Sequence, residues 1–371
     1  MTNKEIIQRL EELREDILSK NGRMFFFVSD TAGVPMASVE QIYKMAKLIQ
    51  DEGYKVIMVH EKDKFIGVES WMGAEYSSIK HISIGSMNNS EEYKITGADT
   101  FFIPELFSDL IKKLHETKLP SDTVVICQSH TFIFKYLNAG ETWSQYDVEN
   151  VITTSNKMKL FLQEYQPTKN VFVVNPVISD DFNPEENALP QKPIISIISR
   201  VPDDIERVAK LFYQKYPMYS WISFRTLGSM KKSEFARALK ESCLSVWIDD
   251  FATFGTFPLE SMKSGVPCII KIPDMIPEWA ENFTQEGITL SDNAIYVPNV
   301  LAIPDYIAKF MEAWLLNDVP ETLYQNMKAA PAIYTEENFV SQAKKTFEAI
   351  IEGKLSKLEQ TIQKYQEENE Q

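Results

Sequence analysis

The stretch VWIDDFATFGTFPLESMKSGVPCIIKIPDMIPEW, residues 246–279, decides the reading of this chain. An apolar run ends at Asp249 and Asp250, as a buried strand does where it reaches a sheet edge. A glycine-containing turn follows, and Pro258, a residue favoured in a first helical turn, marks a helix start. A second strand, VPCIIKI (266–272), comes after Gly265. Strand, turn, helix and strand make a βαβ unit, which implies a parallel sheet. The N–H groups around Gly255 to Leu259 lack partners within such a helix, and the helix dipole favours an anion there. Gly255 lets a phosphate approach closely, with Phe254 and Thr256 on either side. Glu260, in the first turn, offers a carboxylate to a pair of ribose hydroxyls. The same residues also suit a purely structural purpose, because Glu complements a helix dipole and Gly makes the turn.

The alternation extends both ways. MFFFVSD (24–30), KVIMVHE (55–61), DTFFIPE (99–105), DTVVICQSH (122–130), NVITTSN (150–156) and NVFVVNPV (170–177) read as strands, with helical patterns between most of them. Residues 178–192, ISDDFNPEENALPQK, are polar and proline-rich and read as an interdomain linker. Strands resume at PIISIISR (193–200), YSWISFRTL (219–227) and LSVWIDD (244–250), with AIYVPN (294–299) as a further candidate. From Asp305 the chain reads mainly helical. The predicted organisation is an N-terminal α/β domain over 1–178, a second over 193–335, and C-terminal helices with a charged tail over 336–371. Leu355, Leu358, Ile362 and Tyr365 lie at heptad-like spacing, as in a solvated terminal helix or in a docking helix through which a homo-oligomer forms.

Bulk properties narrow the function. A chain of 371 residues suits two domains, and 44% hydrophobic residues suffice for two cores. No run approaches the roughly 18 apolar residues of a membrane span. The opening MTNKEIIQRLEELRED is charged and amphipathic, unlike a secretory signal. A net charge of −15 disfavours broad contact with nucleic acid or anionic lipid, though not a local basic pocket. Cys127, Cys243 and Cys268 sit apart in apolar settings and read as reduced core residues of a cytoplasmic protein. His60, His81, His115 and His130 show no metal-ligand spacing, so a structural zinc site is not expected.

The stretch around Gly255 resembles the signature of retaining glycosyltransferases of family 4, which have the GT-B fold. That pattern is a Glu, any residue, Phe-Gly, three residues, Leu-Glu, Ala/Ser-Met and Gly-x-Pro. Phe254, Gly255, Leu259, Glu260, Ser261, Met262, Gly265 and Pro267 match it in register. The resemblance implies two Rossmann-like domains facing across a cleft, a nucleoside diphosphate sugar as donor, no metal or other cofactor, and Glu260 on the ribose. It departs at two places. The family's first Glu, which contacts the donor sugar, falls on Ala252, with Asp249 or Asp250 as nearby substitutes; Asp250, nearer the turn, is chosen. The family's strand-end Arg matches Arg200, but the Lys five residues on falls on Ile205. Arg225, at the next strand end, or Lys231 is the replacement cation.

In the first domain, Asp30 and Gly33 belong to the first βα loop, read as the acceptor side. No GxGxxG fingerprint is present. His130 and Glu105 end two other strands and are candidates for orienting substrate hydroxyls; the alternatives are a hydrogen-bonded structural histidine for His130 and a solvated loop acid for Glu105. The expected function is transfer of a glycosyl unit to an acceptor hydroxyl, with retention, in glycan or glycoconjugate synthesis. A glycan or lipid-linked glycan acceptor is favoured over modified DNA by the acidic charge. A non-catalytic GT-B scaffold and a GT-B nucleotide-sugar epimerase or phosphorylase are the rivals.

Overall fold

The computed structural model describes residues 2–88, 91–119, 121–184, 191–228, 230–280 and 293–370. The chain forms two compact units, Met1–Asn175 with Phe339–Gln371, and Pro176–Asn338.

The first unit runs α1 (Asn3–Leu18), β1 (Arg23–Val28), α2 (Ala37–Asp51), β2 (Lys55–His60), β3 (Lys80–Ser83), α3 (Ile84–Asn88), β4 (Thr100–Pro104), α4 (Ser108–Glu116), β5 (Asp122–Cys127), α5 (His130–Tyr136), β6 (Asn150–Thr153), α6 (Asn156–Tyr165) and β7 (Asn170–Val173). Its strands form a parallel sheet in the order β3-β2-β1-β4-β5-β6-β7. Phe25, Phe26, Phe27, Phe101 and Phe102 are buried, as expected when helices cover both faces of a parallel sheet. The short edge strand β3 was not foreseen: KHIS carries too little apolar pattern to register. The chain order reverses between β1 and β4. Open α/β sheets bind ligands beyond the carboxyl ends of their strands at such a point.

The second unit runs β8 (Lys192–Ser199), α7 (Pro202–Lys215), β9 (Ser223–Thr226), α8 (Lys232–Lys240), β10 (Ser242–Ile248), α9 (Thr256–Lys263), β11 (Cys268–Lys271), β12 (Ile295–Val297), α10 (Ile303–Leu315) and α11 (Glu321–Ala329). Its parallel sheet has the order β12-β11-β10-β8-β9, with the reversal between β8 and β10. The first residues of the expected linker belong to this core. Ile178 and Phe182 are buried, Ile178 N–H bonds to the Tyr334 carbonyl, and Phe182 packs edge-on against Phe235. Residues 185–190 of that stretch lie outside the described residues.

The last helix, α12 (Glu336–Glu370), is a single element, and from Phe339 on it belongs to the first unit. Phe347 contacts Phe26 and Phe102. Lys354 donates to the Ala98 and Asp99 carbonyls and pairs with Asp122. Leu355, Leu358 and Ile362 pack with Leu10, Leu13 and Ile17 of α1. Leu355, Leu358 and Ile362 of the heptad-like stripe are therefore covered by α1 within the chain. The three cysteines are free and buried, and no helix among the described residues is long and apolar enough to cross a membrane.

Candidate active site

In the second unit, charged side chains gather at the carboxyl ends of the three neighbouring strands β8, β10 and β11. Arg200 grips Asp249 through Nε (3.1 and 3.2 Å) and Nη2 (2.9 Å). Asp249 Oδ1 also accepts the N–H of Phe251, whose ring lies beneath the guanidinium. Asp250 pairs with Lys271, the last residue of β11. Successive residues of a strand end thus diverge, one acid to each side. The Arg200 side chain is half exposed. A pair of that kind is worth at most about 1 kcal/mol, so Arg200 can exchange Asp249 for another anion at little cost.

The turn after β10 is fixed by packing. Gly255 has φ 70 and ψ 78, a left-handed conformation. A Cβ there would lie 2.8 Å from the Trp247 ring. Phe254 is buried edge-on to Tyr334, and its carbonyl accepts the Trp279 indole N–H at 2.7 Å. Thr256 then begins α9, and Glu260, half-buried, is its fifth residue, past the first turn in which the sequence places it. Gly265, also left-handed, ends the helix.

One of the two expected replacement cations is held elsewhere. Arg225 donates to the Ala238 carbonyl (2.8 Å) and to Glu241 (3.0 Å). Glu241 directly precedes β10 and also pairs with Lys192, the first residue of β8. Arg225 is therefore drawn toward the amino edge of the sheet, away from the turn, because the carbonyl end of α8 and a carboxylate capture it. Lys231 is exposed where α8 starts. Ile205 and Ala252 pack against apolar core and supply no charge. The missed residue is Lys271. Its sequence signal is a single charge ending an otherwise apolar strand.

In the first unit, Asp30 follows β1 and Glu105 follows β4, on the two sides of the reversal. His60 Nδ1 donates to Asp30 Oδ1 (2.8 Å), leaving Nε2 to accept the Tyr43 hydroxyl (3.4 Å). Phe65 stacks flat on His60 with ring centroids 3.7 Å apart, and His81 lies 5.2 Å away. Asp30 Oδ2 is buried without a hydrogen-bond partner, as are Thr31 Oγ1 and His81 Nε2. Gly33 has φ 79, which a side chain would strain. Glu105 does not present itself to a substrate hydroxyl: it is fully enclosed, and its carboxylate takes backbone N–H groups of the next loop. His130 opens α5, 6.0 Å from the Phe161 ring.

Burial pushes both His60 and His81 below the ordinary histidine range. Their neutral forms are thus favoured by folding. The associated stability is complete above the unfolded-state value of about 6.5 and is lost as pH falls toward the lower folded-state values. In thermal denaturation, the slope of Tm against pH between 5.5 and 7.5 should be smaller for His60→Gln than for the wild type. An unchanged slope would show that His60 does not enter the fold as a neutral group.

No family model matches the chain. It is 26% identical over 183 residues to an alpha-1,6-glucosyltransferase of Actinobacillus pleuropneumoniae, covering 47% of this chain and 53% of that protein. The chain thus spans about half the length of that curated relative. Its fold is similar to that of sucrose-phosphate synthase from Thermosynechococcus elongatus (TM-score 0.59, 12% identity, 90% of this chain and 100% of that one). It is also similar to the pneumococcal O-GlcNAc transferase GtfA in complex with UDP and GlcNAc (0.60, 10%, 90% and 99%). A third likeness is to Anabaena HepE in complex with UDP-glucose (0.62, 9%, 88% and 99%). The fold is the two-unit parallel α/β architecture of GT-B glycosyltransferases.

Proposed function

We propose that this chain transfers a glycosyl unit from a nucleoside diphosphate sugar to an acceptor hydroxyl, with retention at the sugar carbon. One observation carries the reading: the left-handed Gly255 turn delivers the α9 N-terminus to the sheet edge where Arg200 and Lys271 stand. Free N–H groups, a helix dipole and two cations suit a diphosphate, on which charge builds as the sugar leaves. Glu260 holds the ribose. Asp250 substitutes for the carboxylate missing at Ala252 and holds the sugar. His130 and Asp30 contact substrate on the first unit. A cytoplasmic enzyme of glycan or lipid-linked glycan synthesis, working without a metal, fits the acidic, reduced-cysteine chain.

Among the described residues no His, Cys, Asp and Glu cluster could hold a metal ion. The reaction is tested by release of UDP from UDP-glucose and other nucleotide sugars, with and without glycan acceptors. Absence of both transfer and hydrolysis across the set would favour the scaffold reading, and interconversion of donors without an acceptor the epimerase. Glu260→Ala should weaken nucleotide binding by about 10- to 150-fold, the loss of one charge-assisted hydrogen bond. Unchanged affinity by calorimetry would remove Glu260 from the site.

A further inference from the structure

Glu105 is only 2% exposed. Its Oε1 accepts the N–H of Gln128 at 3.2 Å and of Ser129 at 2.8 Å. Its Oε2 is buried without a hydrogen-bond partner. Those two N–H groups belong to the loop between β5 and α5, and Ser129 is the N-cap residue of α5. The Ser129 side chain makes no capping bond to the helix. The carboxylate thus reaches across from β4 and anchors the loop, with its charge near the positive end of α5.

The same loop is held from two further directions, α2 and β6. Gln128 Nε2 donates to Gln41 Oε1 (2.8 Å) and to the Ser38 carbonyl (3.1 Å), both in α2. Gln41 in turn donates to the Val174 carbonyl beyond β7 at 2.6 Å. Thr153, ending β6, donates to the Cys127 carbonyl at 2.8 Å. A buried polar network of this kind costs far more than a well-packed apolar one unless each member is satisfied. Here it converges on Cys127, Gln128 and Ser129, with Glu105 Oε2 left unpaired, and the next residue is His130.

We infer that Glu105 is a positioning residue: its carboxylate fixes the first turn of α5 and thereby the place of the His130 imidazole. The inference rests on the reading of this chain as a transferase in which His130 meets substrate.

The titration of Glu105 supplies a signature. Burial pushes its carboxyl up to about 7 from an ordinary 4.5, against the pull of its backbone hydrogen bonds. No charged side chain contributes to that shift. Cys127, the titratable neighbour, is itself pushed up by burial and stays a neutral thiol. The native state keeps the Glu105 proton where the unfolded chain has released it. The stability from this group is therefore complete below its unfolded value and is lost as pH rises through about 7. The anchor behaves oppositely, because an ionised carboxylate accepts N–H bonds about twice as strongly as a neutral one. Ionisation tightens the hold on His130 while lowering global stability.

Nuclear magnetic resonance tests this without any reaction. The Gln128 and Ser129 amide resonances of the wild type should titrate together near neutral pH, and Glu105→Gln should abolish that inflection. At a fixed pH of 9, Glu105→Ala should move the His130 Cε1–H resonance, and Glu105→Gln should move it less. In UDP release from UDP-glucose, Glu105→Ala should lower kcat by about 10- to 100-fold, the usual result of misplacing a reacting group. KM for the donor should stay within about twofold. Glu105→Gln, whose amide oxygen can keep both N–H bonds, should recover most of kcat with a flatter pH profile. If circular dichroism shows Glu105→Ala unfolded, the Gln variant carries the test. A His130 resonance and pH profile unmoved by substitution would overturn the positioning role, even with turnover intact. Moved resonances without turnover of any donor would instead leave the anchor standing and sink the transferase reading.

Discussion

Asp250→Ala should lower the rate of sugar transfer by roughly 10²–10³-fold, the loss expected when one fixed polar contact to the reacting sugar is removed. Nucleotide affinity should change little, because the ribose and diphosphate contacts assigned to Glu260, Arg200 and the α9 N-terminus remain. The motive is geometric. Ala252 offers no carboxylate, and of the two acids that follow β10, Asp249 is only 13% exposed and is held by the Phe251 N–H as well as by Arg200. Asp250 meets one cation, Lys271, and its side chain is 43% exposed, which leaves lone pairs for a sugar hydroxyl. Rates measured at saturating donor separate this from binding. A wild-type rate in Asp250→Ala with a large loss in Asp249→Ala would move the sugar contact to Asp249. Wild-type rates in both variants would mean that neither acid replaces the missing Glu.

Gly255→Val should be the most damaging change at the nucleotide site. A β-branched residue at φ 70 is strained by about 1–3 kcal/mol, and its Cβ would press into the Trp247 ring. Overpacking of that kind adds roughly 1–3 kcal/mol. A total near 3 kcal/mol lowers the Tm by about 6–12 °C for a unit of this size. Because the α9 N-terminus must shift to relieve the clash, nucleotide binding should fall by more than about 100-fold. Gly255→Ala carries the same backbone strain and the Cβ contact without the branch, so its effect should be smaller. Equal, wild-type-like melting for both variants would show that the turn is not built on close contact with Trp247.

Much of this was legible along the chain. The βαβ rhythm gave the strands of both sheets because each is an apolar run with turn residues at its ends, and that signal is local. The turn and helix start of residues 254–260, on which the proposed phosphate site rests, were legible for the same reason: a turn, a helix start and a carboxylate lie within seven positions. The short strand β3 escaped because its pairing with β2, rather than its own composition, makes it a strand.

Partner choice among charged residues was not legible. Arg200 and Arg225 both sit toward the ends of adjacent parallel strands and look equivalent in sequence. One meets Asp249 at the carboxyl edge, while the other is drawn toward the amino edge by Glu241, 16 residues away in the chain. Lys271 joined the charged cluster only when β11 paired beside β10 and brought it to Asp250. Glu105 looked like a solvated loop acid until the fold closed over it and turned it toward Gln128 and Ser129. The sequence by itself determined periodicity, turn chemistry and net charge, which depend on near neighbours. The tertiary structure decided burial and ion pairing, because desolvation and Coulomb attraction act through space between residues that only folding brings together.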